Sequence, residues 1–360
     1  MSCSDRRAAL RALLPGAGVD ALLVTDLVNV RYLTGFTGSN AALLVHADGD
    51  AASRFCTDGR YRTQAAAEVG DLDTVIDRIS AVALARRARR LGVERLGFES
   101  DSVTVDAHDA LAEAAGVPLH RAPGLVQRLR AVKDAGEVEA LRQACAVADA
   151  AFAELLAAGG LRPGRSEREA ALDLEDRMRR LGAAGPAFDT ILAAGAHTAV
   201  PHHRPTAAKL RSGDLVKIDF GALVDGYHSD MTRTVVLGRP ADWQREMHAL
   251  VAEAQAAGRA ALAPGTDVTA VDAAARDVVE RAGRGEEFVH GLGHGVGLQI
   301  HEAPALARTG TGTVESGMVV TVEPGVYLPG QGGVRIEDTL VVRDGGPELL
   351  THTTRELLEV

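Results

Sequence analysis

Through the first third of the chain, compact apolar runs alternate with longer segments whose apolar residues recur every three or four positions. The runs ALLVT (21–25), AALLVHA (41–47), ASRFCTD (52–58) and RLGFES (95–100) have the length and composition of strands. The segments SDRRAALRALLPGAG (4–18), ISAVALARRARRLG (79–92) and VDAHDALAEAAG (105–116) carry helical spacing, and the first is closed by Pro15 and Gly16. Mixed order of this kind predicts an α/β layer.

The pattern changes near residue 130. VKDAGEVEALRQACAVADAAFAELLAAGG (132–160) keeps helical spacing over most of its length and ends in Gly-Gly, which suits the opening helix of a second domain. Further helices are predicted around residues 166–181, 241–262 and 268–282, separated by Gly-rich strand segments. The division expected from this change is an N-terminal domain over 1–131 and a C-terminal domain over 132–360.

With 360 residues, 46% of them hydrophobic and 24% charged, the chain can build a sizeable core, based on Leu, Val and Ala because aromatics are only 3%. The net charge of −10 argues against a nucleic-acid partner. The most basic run, LARRARRLG (84–92), reads as a solvated helix face. Cys3, Cys56 and Cys145 are far apart and form neither a metal spacing nor a disulfide framework. No apolar run approaches the roughly 20 residues of a membrane span, and MSCSDRRAAL lacks the apolar core of a signal peptide. A cytoplasmic protein in a reducing compartment is expected.

Two aspartates break this ordinary picture. VKIDFGALVDGYHSDMTRT (216–234) places Asp219 and Asp230 in runs that otherwise look like strands, where Asp is disfavoured and a covered carboxylate is costly. Asp225-Gly226 is a hairpin turn signal. With those residues as the turn, Val224 faces Tyr227, Asp219 faces Thr232, and Asp230 becomes the diagonal neighbour of Asp219. Both carboxylates then project from one face, their Cβ atoms about 7–8 Å apart, a span that one cation or a close pair can fill. The alternative is an exposed sheet face on which Asp219 pairs with Lys217 or Arg233. Lys217 shares its face by parity and Arg233 does not.

Further candidate ligands lie downstream. VHGLGHGVGLQIHE (289–302) holds His290, His294 and His301 among alternating glycines, a composition that permits close backbone approach. A lone His is more often a satisfied core or surface group; three in one Gly-rich, strand-like segment favour a site. VVTVEPGVYLPGQGGVRIEDTLVV (319–342) adds Glu323 and Glu337 at strand ends, where solvent exposure is the plain alternative. HTAVPHHRPT (197–206) adds His202 and His203 in a turn-like loop, for which simple exposure is also the plain alternative. Four acids with one or more imidazoles, and no thiolate, suit hard or borderline divalent ions. Four carboxylates exceed the need of one cation, so two are expected. A metal pair can bridge and deprotonate a water and polarise a carbonyl, which is hydrolytic chemistry, most naturally of an amide.

These motifs, in this order, resemble the pita-bread metallopeptidase family, which includes methionine aminopeptidase, aminopeptidase P and prolidase. The resemblance covers about residues 134–352 and rests on the spacing from Asp219 to Asp230, GHGVG around His294, VEPG at Glu323 and RIED at Glu337. It implies an α+β catalytic domain of the pita-bread type. It implies that Asp219, Asp230, His294, Glu323 and Glu337 hold two divalent metals, manganese by preference, with cobalt, zinc and iron as alternatives. By the same resemblance Asp230 and Glu337 bridge the metals and Glu323 shuttles a proton. His202 and His301 donate to the substrate carbonyl and the developing oxyanion, and His290 is a further site residue. His203 has no counterpart and is expected at the surface. All five ligand positions are filled, which speaks against a catalytically silent binding module. A general acidic cation binder would not explain the other histidines or the glycines between them.

The leading domain narrows the resemblance to the proline-specific branch. VNVRYLTGFTGSNAALLV (28–45) and CTDGRYRTQAAAEV (56–69) look like the creatinase/prolidase N-terminal α/β domain, and GGVRIEDTL puts Arg335 near the site. The implied substrate is a peptide with proline at its second position, cut at the Xaa-Pro bond. An Xaa-Pro aminopeptidase is the main expectation, and a dipeptidase confined to Xaa-Pro is the alternative. The family also implies a homodimer.

Overall fold

The computed structural model describes all 360 residues and divides them into two compact units, Met1–Arg130 and Ala131–Val360. The first is built on a six-stranded mixed sheet in the order Thr74–Ile76, Arg54–Thr57, Ala41–His46, Ala21–Val24, Leu96–Phe98 and Leu119–Arg121. The central strands Ala21–Val24 and Ala41–His46 are buried at every residue, as their unbroken apolar runs require. Helices Cys3–Leu13, Ser80–Ala88 and Val105–Ala115 fall where the periodicity puts them. The helix Leu27–Thr34 was not legible, because it is rich in β-branched and aromatic residues. It forms because the Asp26 carboxylate caps the amides of Val28 and Asn29, and Gly35 closes it at φ 79°.

The second unit repeats one plan: two helices, then a long antiparallel ribbon. Helices Ala135–Ala157 and Glu167–Arg180 precede the ribbon that runs from Leu215 to Val236. Helices Asp242–Ala260 and Val268–Arg281 precede the ribbon from Val319 to Val341. In the first helix Val138, Leu141, Ala144, Cys145, Ala148, Ala151, Phe152 and Leu155 form the buried stripe. Each helix pair packs on its own ribbon, so the unit has two apolar cores, one around Phe152, Leu174, Ile218 and Phe220, the other around Val251, Val271, Val320 and Leu340.

The first ribbon has the expected register. Asp225 and Gly226 form the turn at φ 48° and 77°, Val224 pairs with Tyr227, and Asp219 pairs with Thr232. The ribbon is split at Gly221 and Ser229 between two three-stranded sheets, and Asp230 sits at the split. A Cβ on Gly221 would run into the Ser229 carbonyl, so only glycine fits there.

The second ribbon is split in the same way. Val322 pairs with Asp338 in a five-stranded sheet, and Gly325 pairs with Arg335 in a two-stranded one. One register spans both parts and places Glu323 opposite Glu337 at the break. The Glu337 amide donates to the Thr232 carbonyl and ties the two breaks together.

The His-rich segment is not one strand. Gly293–Gly295 is a short central strand between Glu302–Leu306 and Val319–Val322, while His290 and His301 lie in the bends on either side. The glycines allow this tight packing: a Cβ on Gly293 would strike the Thr321 carbonyl, and one on Gly295 the Ala303 carbonyl. We predict that Gly293→Ala lowers unfolding free energy by about 2 kcal/mol, the usual cost of overpacking. An unchanged denaturant midpoint would show that the strands do not approach so closely.

Candidate active site

The two ribbon breaks and the His-rich segment meet at one cavity of about 430 Å³. Asp219, Asp230, His294, Glu323 and Glu337 line it, and so do His202, His290, His301 and Arg335. Every site residue named from the sequence therefore borders the same space. Phe188, Ile191 and Ile300 add an apolar wall, and Asp189 and Arg204 also border the cavity.

The donor set fits a cation centre on several counts. Ligating atoms of Asp230, His294 and Glu337 lie within 4.8 Å of one another. His294 Nδ1 is 3.0 Å from the Gly295 carbonyl, which can only accept, so Nδ1 carries the proton. Its Nε2 points between Asp230 Oδ2 at 3.5 Å and Glu323 Oε1 at 3.3 Å. Burial lowers the pKa of the ring, but Glu323 raises it further, and a bound cation would take the place of the Nε2 proton. An imidazole fixed through its far nitrogen by a carbonyl is the usual orientation of a metal ligand. Asp219 Oδ1 is buried with no hydrogen-bond partner, an orphaned acceptor aimed where a cation would satisfy it.

The electrostatics agree. Burial raises the pKa of Asp230 and Glu337 well above the carboxylate range. Mutual repulsion among Asp219, Asp230, Glu323 and Glu337 adds to that rise. Asp219 is raised by burial too, although Arg335 opposes it. Glu323 goes the other way: burial would raise it, but the bond to His294 and the nearby cationic charge hold it at about 2. The cluster thus lacks positive charge at Asp230 and Glu337, between which divalent ions would restore balance.

Three of the candidate ligands, Glu337, Glu323 and Asp219, are oriented by pairings that the sequence did not identify. Thr232 Oγ1 donates to Glu337 Oε2 at 2.7 Å, and Thr321 Oγ1 to Glu323 Oε1 at 3.2 Å. Arg335 Nη2 donates to Asp219 Oδ2 at 2.5 Å, which replaces the pairing with Lys217 or Arg233 weighed above. Lys217 Nζ instead donates to the carbonyls of Thr198, Val200 and Pro201, on the loop that carries His202. Arg233 binds Asp338, which faces away from the cavity lining and also accepts from Gln255 and Thr351.

Tyr327 was likewise missed. Arg335 Nη1 donates to its hydroxyl at 2.8 Å, and the hydroxyl lies 2.9 Å from His290 Nε2. His290 Nδ1 sits 2.8 Å from the Gly291 carbonyl and so carries the proton. His290 is kept neutral by burial, and Tyr327 donates to its Nε2. Both ring nitrogens are thereby occupied, so His290 supports the network and offers no proton to the cavity. His203, expected at the surface, has a side chain only 12% exposed and is bonded to Glu167. His202 is exposed, as its cavity position requires.

A pH signature follows for protein stripped of metal. Asp219, Asp230 and Glu337 have raised folded pKa values, so the folded state holds protons that the unfolded chain, at about 4, releases. Their contribution is complete at low pH and is lost as pH rises through the folded values. Chelated protein should therefore lose Tm from pH 5 to pH 8 more steeply than metal-loaded protein. Parallel profiles would contradict this charge balance.

Comparison with known proteins agrees with these features. The profile described as metallopeptidase family M24 matches residues 139–344, and that of the creatinase/prolidase N-terminal domain matches residues 6–132. An Xaa-Pro dipeptidase of Pyrococcus furiosus is 37% identical over 345 residues, covering 94% of this chain and 95% of that protein. The solved Xaa-Pro dipeptidase of Bacillus anthracis superposes with a TM-score of 0.95 at 38% identity, covering all of both chains. The X-Pro aminopeptidase of Thermotoga maritima superposes with a TM-score of 0.89 at 34% identity, over 98% of this chain and 99% of that one. With a metal-ligating donor set in a single cavity and both family profiles matched in order, the chain belongs to metallopeptidase family M24 and is a metal-dependent peptidase.

Proposed function

We propose that this enzyme hydrolyses the peptide bond that precedes a proline at the second position of its substrate. The observation that carries the reading is one cavity in which a cluster of buried, mutually repelling carboxylates faces an apolar wall of Phe188, Ile191 and Ile300. Proline has no amide hydrogen and a fixed φ, so recognition depends on shape and apolar contact rather than on a backbone hydrogen bond. That wall suits the ring, and relatives named for Xaa-Pro cleavage support the assignment.

In this reading Asp219, Asp230, His294, Glu323 and Glu337 hold two divalent ions, and the carboxylate-rich set favours manganese. When bound, such a pair supplies Lewis acidity and lowers the pKa of water. Glu323 accepts a proton and delivers it to the leaving nitrogen. His202 and His301 donate N–H groups to the carbonyl oxygen as it gains charge. The His301 ring stands edge-on to His294 at 4.4 Å between centroids, and burial lowers its pKa. Arg335 does not touch the substrate; it positions Asp219 and Tyr327. A homodimer is part of the proposal.

The dipeptidase form of this activity has one specific observation in its favour. Arg204 borders the cavity with a side chain 90% exposed, and its nearest carboxylate, Asp189, stands 3.8 Å away. A guanidinium there can take the free carboxylate of a C-terminal proline. The aminopeptidase form requires that the same mouth admit a longer chain.

Matched Xaa-Pro, Xaa-Pro-Yaa and Xaa-Ala-Yaa peptides, analysed by mass spectrometry, test both levels. Release of Xaa from either proline peptide but not from the alanine control is expected; cleavage of the alanine peptide would remove the proline assignment. If the dipeptidase form holds, Arg204→Ala raises KM for Xaa-Pro and leaves any tripeptide cleavage unchanged. His301→Ala should lower kcat by about 10²–10³, the cost of one oxyanion donor, with bound metal unchanged. Loss of metal in that variant would make His301 a ligand instead.

A further inference from the structure

Outside the cavity, the loop that carries His202 is gathered around another buried carboxylate, Glu167. Glu167 begins the helix Glu167–Arg180, and its side chain has no exposed surface. Its Oε1 accepts from the Ala194 amide at 3.0 Å and meets His197 Nδ1 at 2.8 Å. Its Oε2 accepts from the Thr206 amide at 2.9 Å and the Thr206 hydroxyl at 2.6 Å, and meets His203 Nε2 at 2.9 Å. The two imidazole rings stack at 4.5 Å between centroids. None of the three side chains borders the catalytic cavity.

This arrangement has more donors than a loop clamp needs. A carboxylate offers about four lone-pair sites, and Ala194 with the two groups of Thr206 already fills three. Two imidazole N–H groups would over-subscribe it. The nitrogens of His197 and His203 and an oxygen of Glu167 lie within 4.8 Å of one another. Two imidazoles with one carboxylate make a zinc-type donor set, with the fourth position left to water. The His197 side chain is 44% exposed, which provides the entry path and the open position. Ala194 and Thr206 would then be the outer partners that orient the carboxylate.

We propose that Glu167, His197 and His203 bind one borderline divalent cation, zinc by preference, at a site separate from the catalytic centre. The cation ligates one Glu167 oxygen and the facing nitrogen of each imidazole, whose protons move to the far ring nitrogens, so the carboxylate carries four contacts in place of five. The donor atoms stand 2.8 Å and 2.9 Å apart, so a few tenths of an ångström of expansion admits bonds of about 2.0–2.2 Å. Because His203 adjoins His202, occupancy also stiffens the segment that holds this catalytic donor. The inference does not depend on the identity of the peptide substrate.

The test counts metal. Full-length protein saturated with manganese is equilibrated with rising zinc, desalted, and assayed for total bound metal by mass spectrometry. The natural protein should hold one cation per chain more than His203→Gln and than His197→Ala combined with His203→Gln. Glutamine keeps a hydrogen-bond donor towards Glu167, so the variant fold is preserved, and a matching Tm without zinc checks this. Exchange of zinc for manganese in the catalytic centre leaves the difference in totals untouched. Cobalt in place of zinc should give the natural protein an added, intense visible band of low-coordinate cobalt that the variants lack. Equal totals and equal spectra in natural protein and variants would overturn the proposal.

Discussion

The structure turns on the cost of holding four carboxylates in one buried cavity. Each is expensive to desolvate, and together they repel, so the fold tolerates them only where positive charge can enter. Protein cations supply part of it. Arg335 is spent on Asp219, and His294 on Glu323. Asp230 has a share of His294 at 3.5 Å, and Glu337 has the neutral Thr232 hydroxyl; these are the two acids pushed furthest towards protonation. The deficit that would destabilise a metal-free protein is what makes the site a receptor for divalent ions.

The repeated plan of the second unit explains how those acids arrive at one place. Each half presents a long antiparallel ribbon, and each ribbon breaks where it passes from one small sheet to another. At a break the backbone need not bury both faces under apolar side chains, so an acid can sit there without spoiling a sheet. Asp230 occupies one break, Glu323 and Glu337 the other, and the Glu337 amide bonds across to Thr232. Rigid ribbons then fix the ligands, while Thr232, Thr321, Gly295 and Arg335 fix their orientation. His202 is delivered by a looser segment, which is itself pinned by Lys217 and Glu167.

How much of this could be read beforehand depended on sequence distance. The pairing of Asp219 with Thr232 was legible because a two-residue turn and a period of two determine every facing residue between them. The cavity lining was legible because acids in apolar strands and histidines among glycines are costly unless used. The partners were not: Thr232 to Glu337, and Arg335 to Asp219, are joined only by the fold. Tyr327 looked like an ordinary strand residue, and His203 an ordinary loop residue. The helix Leu27–Thr34 was hidden because capping by Asp26 outweighed a composition suited to strands.

The central claim is that hydrolysis depends on cations held by the buried carboxylates. The most direct measurement is the turnover of an Xaa-Pro peptide by chelator-stripped protein as manganese is added in known equivalents. The account predicts negligible turnover without metal and recovery to a plateau as the site fills. Full turnover in protein shown by elemental analysis to be free of metal would contradict it.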